Sequence, residues 1–236
     1  MLYLHAIFKI MNRLFIFIFL ISGLVAQSQI HEIGVFLGGS NYIGDIGKTT
    51  YIAPNEGAFG ILYRWNKSPR HSWRISYTQS KITGNDKDAT APSRQLRDYN
   101  FENSIKEVSL GLEFDFFDFN LHDSKTKFTP YVYSGLSYVR YEGLYFINDY
   151  PKIDDKYGTL AIPMTIGIKT KFINHIILGF EAGARYSFKD DFDGSNPTNK
   201  KLESLKFGNI NSKDWYVFTG FTITYTFGNK PCYCAD

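Results

Sequence analysis

Eight stretches of this chain alternate apolar and polar residues with a period of two, and no stretch beyond the N-terminus has a helical period of useful length. The eight are Ile33–Gly39, Ala58–Trp65, Ser72–Thr78, Lys106–Phe116, Tyr131–Tyr141, Leu160–Phe172, Ile176–Phe188 and Trp215–Phe227. Such a pattern admits two folds, a soluble β-sandwich and a closed membrane barrel, and alternation alone does not separate them. The make-up of the polar face does. Leu160, Ile162, Met164, Ile166 and Ile168 oppose Ala161, Pro163, Thr165, Gly167 and Lys169. Val108, Leu110, Leu112 and Phe114 oppose Glu107, Ser109, Gly111, Glu113 and Asp115, and in the seventh stretch Gly179, Glu181, Gly183 and Arg185 share a face. Small residues mixed with charges suit the lumen of an eight-strand barrel, which has room only for side chains. The charges Arg64, Arg74, Glu107, Glu113, Asp115, Lys169, Glu181 and Arg185 can be buried there only as pairs. The reading is therefore an all-β, eight-stranded antiparallel outer-membrane barrel with a plugged, salt-bridged interior.

Connection lengths agree with this reading. Asn66–Arg70, Asp118–Thr129 and the few residues around Asn174-His175 are short, whereas Asn41–Gly57, Ile82–Ser104, Glu142–Gly158 and Lys189–Asp214 are long. Short turns on one side and long loops on the other mark outer-membrane barrels. The strand ends carry Trp65, Trp73, Tyr77, Tyr131, Tyr133, Tyr138, Tyr141, Trp215 and Tyr225, which are expected to form aromatic girdles at the two membrane surfaces. The last strand ends Thr224-Tyr225-Thr226-Phe227, a pattern of the kind read by the barrel-insertion machinery.

The one continuously apolar run lies at the start. Lys9 and Arg13 precede Leu14–Val25, and Ala26-Gln27-Ser28 fits a small-x-small cleavage site. This reads as a signal peptide over 1–28, with Met11 a second start codon candidate, followed by a barrel over 29–227 and a tail over 228–236. Without Lys9 and Arg13 the chain carries 24 basic residues against 23 acidic ones, so no nucleic-acid partner is expected. Mean hydropathy is −0.23, which excludes a polytopic helical membrane protein.

Three stretches resemble a known family: IGVFLGGSNYIGDIG (Ile33–Gly47), PNEGAFGILYRWNKSPRHSWRISY (Pro54–Tyr77) and DWYVFTGFTITYTFGNKPCYCAD at the end. The chain is similar in these to the PorG-type outer-membrane proteins of the type IX secretion system. The resemblance implies a small barrel without enzymatic activity or cofactor, set in the lipid bilayer. Its partners would be the PorK/GldK-type lipoprotein and the PorN/GldN-type subunits of a periplasmic ring. With the tail on the same side as the short turns, the residues expected to face that partner are Asn66, Lys67, Ser68, Pro69 and Arg70, then His122, Asp123 and Lys125, then Pro231, Cys232, Tyr233 and Cys234. The alternative is a generic OmpA/OmpX-like barrel that serves adhesion or membrane integrity through its long loops.

Catalytic and metal chemistry finds little support. His71 and His175 lie near short turns, away from the outer rim where a lipid-modifying barrel needs its His, Ser and carboxylate together. Asp190-Asp-Phe-Asp-Gly-Ser-Asn196 looks like the front of a calcium loop, but position twelve counted from Asp191 is Leu202 rather than a glutamate. The expectation is a solvated loop. Cys232 and Cys234 are the only cysteines. A bridge between residues two apart is strained and two thiols alone make an incomplete metal site. Intermolecular disulfides, one strained bridge and free thiols all stay open.

Overall fold

The computed structural model describes residues 30–121, 127–173, 175–209 and 211–228. The segment 1–28 expected to be a signal peptide, His122, Asp123, Lys125 and the tail residues Pro231, Cys232, Tyr233 and Cys234 lie outside them. Eight strands pair in sequence order and close on themselves: β1 (Ile30–Ile43), β2 (Glu56–Asn66), β3 (His71–Asn85), β4 (Asn100–Asp115), β5 (Phe128–Ile147), β6 (Tyr150–Ile173), β7 (Ile176–Ser187) and β8 (Trp215–Phe227). All neighbours are antiparallel. The ring is closed by β1 and β8, in register from His31↔Phe227 to Ile43↔Trp215. At the short-turn end the seam is fastened by the His31 ring, which stacks on Tyr63 at 5.8 Å and on Phe227 at 5.6 Å.

The barrel is apolar outside and polar inside, the reverse of a soluble protein. Ile166 and Leu110 are 65% and 55% exposed, while Arg64 and Glu113 are fully buried. A closed ring leaves no unpaired edge, and its apolar belt matches the hydrocarbon of a bilayer. This is the architecture of an outer-membrane barrel, in which the short turns face the periplasm and the long loops the exterior.

The strands run further than their alternation suggests. About 9–11 residues span a bilayer, yet β5 has 20 and β6 has 24. Glu142–Gly158, read from the sequence as a loop, is instead a hairpin that stands above the belt. It turns on Asn148 and Asp149, at φ 49° and 67°. Both angles suit a two-residue turn that matches strand twist, and Asn and Asp tolerate them. Above the belt Leu144 and Phe146 still pack into the cap, but the opposite face meets water instead of lipid, so the sequence loses the apolar-outward period. A short α-helix, α1 (Pro92–Arg97), lies in the β3–β4 connection.

The girdle assignment needs a correction. Tyr131, Tyr133 and Tyr141 are 1%, 2% and 2% exposed and point into the barrel. They share strand parity with the inward Ser137, and parity decides the face whatever the distance from the strand end. Room for such side chains comes from glycine elsewhere. Gly111 and Gly135 face each other across β4 and β5, and a Cβ on Gly111 would lie 2.2 Å from the Ser134 carbonyl oxygen. Gly111→Val is expected to destabilise the barrel by about 1–3 kcal/mol. Loss of the compact, heat-modifiable band on an unboiled gel at a lower denaturant concentration than wild type measures this.

Candidate functional site

All eight charges singled out in the sequence meet in the lumen, where the alternation of five strands aims them at one another. Arg64 on β2 donates to Glu113 on β4 at 2.8 Å and to Glu32 on β1 at 3.0 Å. Lys169 on β6 reaches Glu113 at 2.8 Å and Asp115 at 2.9 Å. Arg74 on β3 forms a two-pronged pair with Glu181 on β7, both contacts 2.7 Å, and Arg185 lies 3.4 Å from Glu107. Inward tyrosines complete the network. Tyr131 donates to Glu181 at 2.5 Å and Tyr216 donates to Glu107. The Arg74 guanidinium sits 4.9 Å above the Tyr133 ring and that of Arg185 4.4 Å above Phe218. Glu32 is the member that the sequence reading missed. It lies one residue before the first alternating stretch, on the same face as Gly34, and that parity was the available signal.

Both ends of the lumen are stoppered. At the short-turn end Phe119, 4% exposed, folds under Lys169, whose ammonium is 5.0 Å from the ring. At the long-loop end an aromatic core closes the mouth. Phe192 from the β7–β8 loop is fully buried, 4.3 Å from Tyr141 and 5.8 Å from Tyr216. Tyr99 stacks on Phe146 at 4.5 Å, and Phe207 meets both edge-on. The space between Arg74, Glu181, Arg185 and Phe218 is too small for a water molecule. An interior of this kind offers no conduit, and its charges are spent on one another.

Chemistry available to a partner therefore lies at the two ends. At the short-turn end Lys67 and Arg70 are exposed, and Ser68 and Pro69 are half-buried. The loop is held rigid. The Ser68 hydroxyl oxygen accepts from the Arg70 and His71 amides at 3.3 and 3.0 Å, and Arg70 pairs with Asp118 of the next turn at 2.5 Å. Asn66 departs from the partner-facing reading. It is 7% exposed and its amide donates to Glu32 at 2.9 Å, because the last residue of β2 has inward parity.

The long-loop end carries a second surprise. Asp190, Asp191 and Asp193 are 3%, 2% and 0% exposed, so Asp190–Asn196 is not the solvated loop its composition suggests. Anchoring of Phe192 in the aromatic core drags its acidic neighbours under cover. Burial, with the nearby Asp193 and Asp45 charges, pushes the Asp190 carboxyl up to about 7. Burial also holds Asp193 and Asp214 above the usual carboxylate range. Among the described residues no three His, Cys, Asp or Glu side chains make a metal centre by themselves.

The lumen pairs differ sharply in their expected worth from those at the surface. Glu113→Gln leaves Arg64 and Lys169 short of a counter-charge in a dry interior and should cost about 3–5 kcal/mol. Lys81→Ala removes only an exposed partner of Glu102 and should cost at most about 1 kcal/mol. Denaturant unfolding of both variants in the same micelles measures the contrast.

Three solved structures illustrate what the chain is similar to. Ail, the attachment invasion locus protein of Yersinia pestis, is 11% identical, with 85% of this chain and 100% of that one covered and a TM-score of 0.44. Neisserial surface protein A is 10% identical over 85% and 98%, with a TM-score of 0.45. OprG from Pseudomonas aeruginosa is 9% identical over 86% and 97%, with a TM-score of 0.43. No curated protein matches. A family model described as a domain of unknown function, DUF6089, matches residues 11–236, and the chain belongs to that family.

Proposed function

We propose that this protein is a non-enzymatic outer-membrane scaffold of the type IX secretion system. It holds a periplasmic ring of PorK/GldK-type lipoprotein and PorN/GldN-type subunits against the membrane through its short-turn end and its tail. The observation that carries the scaffold reading is the interior: a lumen filled by paired charges and stoppered by Phe119 and Phe192 leaves no passage for a transported molecule. Work must then be done by surfaces. The link to type IX secretion comes from the likeness of Ile33–Gly47, Pro54–Tyr77 and the C-terminal stretch to PorG-type proteins. Support for the docking face comes from the rigid basic turn, since a pre-formed surface loses little entropy when it binds.

The β5–β6 hairpin favours a second reading, surface adhesion or membrane integrity. It lifts Ile147, Tyr150 and Ile153, exposed by 44%, 70% and 58%, above the barrel. The two readings place the working surface at opposite ends. A tagged chain is expected to retrieve ring proteins in mild detergent. The Lys67→Glu/Arg70→Glu variant and a variant lacking 228–236 should each lose about tenfold of that yield, equivalent to about 1.4 kcal/mol, while shortening the hairpin at 146–151 leaves it unchanged. Full retrieval by both short-turn-end variants overturns the docking proposal. Retrieval with and without reductant also reports whether Cys232 or Cys234 bonds to a partner.

A further inference from the structure

The lumen pairs its charges, but three bases on the outer wall of the barrel have no such partner. Lys106 on β4 and Arg140 on β5 stand directly opposite each other in the β4–β5 ladder. Both face outward and are exposed. Like charges placed this way destabilise a sheet. Neither forms an ion pair among the described residues, and nor does the exposed Lys156 on β6. Lys81 on the neighbouring β3 is by contrast paired with Glu102 at 2.6 Å. One acid, the half-buried Glu142, stands opposite Lys156 in the β5–β6 ladder.

Height on the barrel gives the three bases their meaning. Counted back along β4 from Phe116, Lys106 is residue eleven, and about 9–11 residues span a bilayer. The outward residues below the two cations are Val108, Leu110 and Leu112 on β4, and Tyr138 and Leu136 on β5, all exposed. Lys106 and Arg140 therefore mark the line where the apolar belt meets the headgroups on the long-loop side, which is the outer leaflet.

The wall is open at this line. Ser104, Lys106, Arg140, Glu142 and Lys156 line a recess of about 190 Å³. The ladder partner of Arg140 on β6 is Gly158, which sets no side chain in the way. A Cβ there would collide with the Tyr138 hydroxyl, so the glycine lets that hydroxyl rise to the level of Arg140. Lower on the wall, an apolar groove of about 440 Å³ runs over β1–β4 between Ile33, Ile61, Tyr63, Ile75, Tyr77 and Val108. Val108 lies in the upper row of that groove, opposite Tyr77. It is one outward step, about 7 Å of strand, below Lys106.

Charge selects the occupant. Three bases against one acid leave a surplus of two positive charges in the recess. A phosphomonoester carries about −1.5 to −2 at neutral pH, whereas a phosphodiester carries about −1. Arginine grips two phosphate oxygens at once and lysine adds a point charge. The groove below asks for an acyl chain on the same molecule. We propose that this wall binds a phosphorylated glycolipid of the outer leaflet, of the lipid A class, with its phosphomonoester on Lys106, Arg140 and Lys156 and an acyl chain in the groove that ends at Val108. The lipid turns an unfavourable cation pair into a clamp that fixes the height of the barrel in the membrane. The site lies at the opposite end from the docking face and is independent of it.

The test uses the full chain folded in non-ionic micelles. Native mass spectrometry with added lipid A should show one lipid retained per chain. Dephosphorylated lipid A and phosphatidylglycerol should each be retained at least about tenfold less well, since the charge-assisted contacts are lost or weakened. Lys106→Glu/Arg140→Glu should lose a similar factor while its heat-modifiable band shows an intact barrel. Ile61→Trp, which fills the groove, should weaken retention with every charge in place, and Lys81→Ala should behave as wild type. Arg140→Gln gives a readout of opposite sign. Without lipid it should unfold at the same or a higher denaturant concentration than wild type, because a repulsion is gone. With lipid A the order should invert, because wild type gains more from the ligand. Equal retention by wild type and the charge-reversal variant overturns the proposal, as does equal retention of dephosphorylated lipid A. Displacement of lipid A by an equal concentration of inorganic phosphate assigns the recess to free phosphate and overturns it as well.

Discussion

Everything in this molecule follows from the cost of burying charge in a lumen that has room only for side chains. The exterior of the barrel must be apolar to sit in lipid. The period of two then sends the remaining residues inward, and with eight strands they arrive within touching distance. A carboxylate in such a place survives only beside a cation with its hydrogen bonds filled. Glu113 shows how fully this is met, with Arg64 at 2.8 Å and Lys169 at 2.8 Å on its two oxygens. Pairs of this kind add little net stability over a packed apolar core. Their stronger effect is on register, because a strand slipped by one residue would carry its charges into lipid.

From that constraint the division of labour follows. The ion network runs through the lumen, and one apolar cluster extends from Leu62, Phe36 and Phe218 inside the barrel up to the aromatic cap above. Phe192, Tyr216, Tyr141 and Phe146 give the outer end a small globular cap. The short-turn end is closed by one phenylalanine and held by the Arg70–Asp118 pair. A protein so filled presents its free chemistry at its ends, and the docking proposal rests on the basic turn between β2 and β3.

Much of this was legible in the sequence because period two is a local signal. The eight strands, their lipid faces and every lumen charge of the network but Glu32 were visible in the alternation, and β8 ends where its pattern ends. What escaped was set by longer range. The Glu142–Gly158 hairpin lost its alternation once its outer face met water instead of lipid, although Leu144 and Phe146 still pack inward. Tyr131, Tyr133 and Tyr141 were judged by their distance from strand ends when parity decides the face. Asn66 was read as turn when it is the last inward residue of β2. The burial of Asp190–Asp193 depends on Phe192 reaching a core assembled from six strands, and no local composition announces that.

The central claim is that the lumen is sealed by paired side chains, and planar-bilayer conductance of the purified, reconstituted protein tests it most directly. The account predicts a baseline without stable openings in wild type, and brief openings only when the Glu113 network is broken. Steady ohmic conductance in the wild-type protein would contradict it and return the barrel to the class of pores.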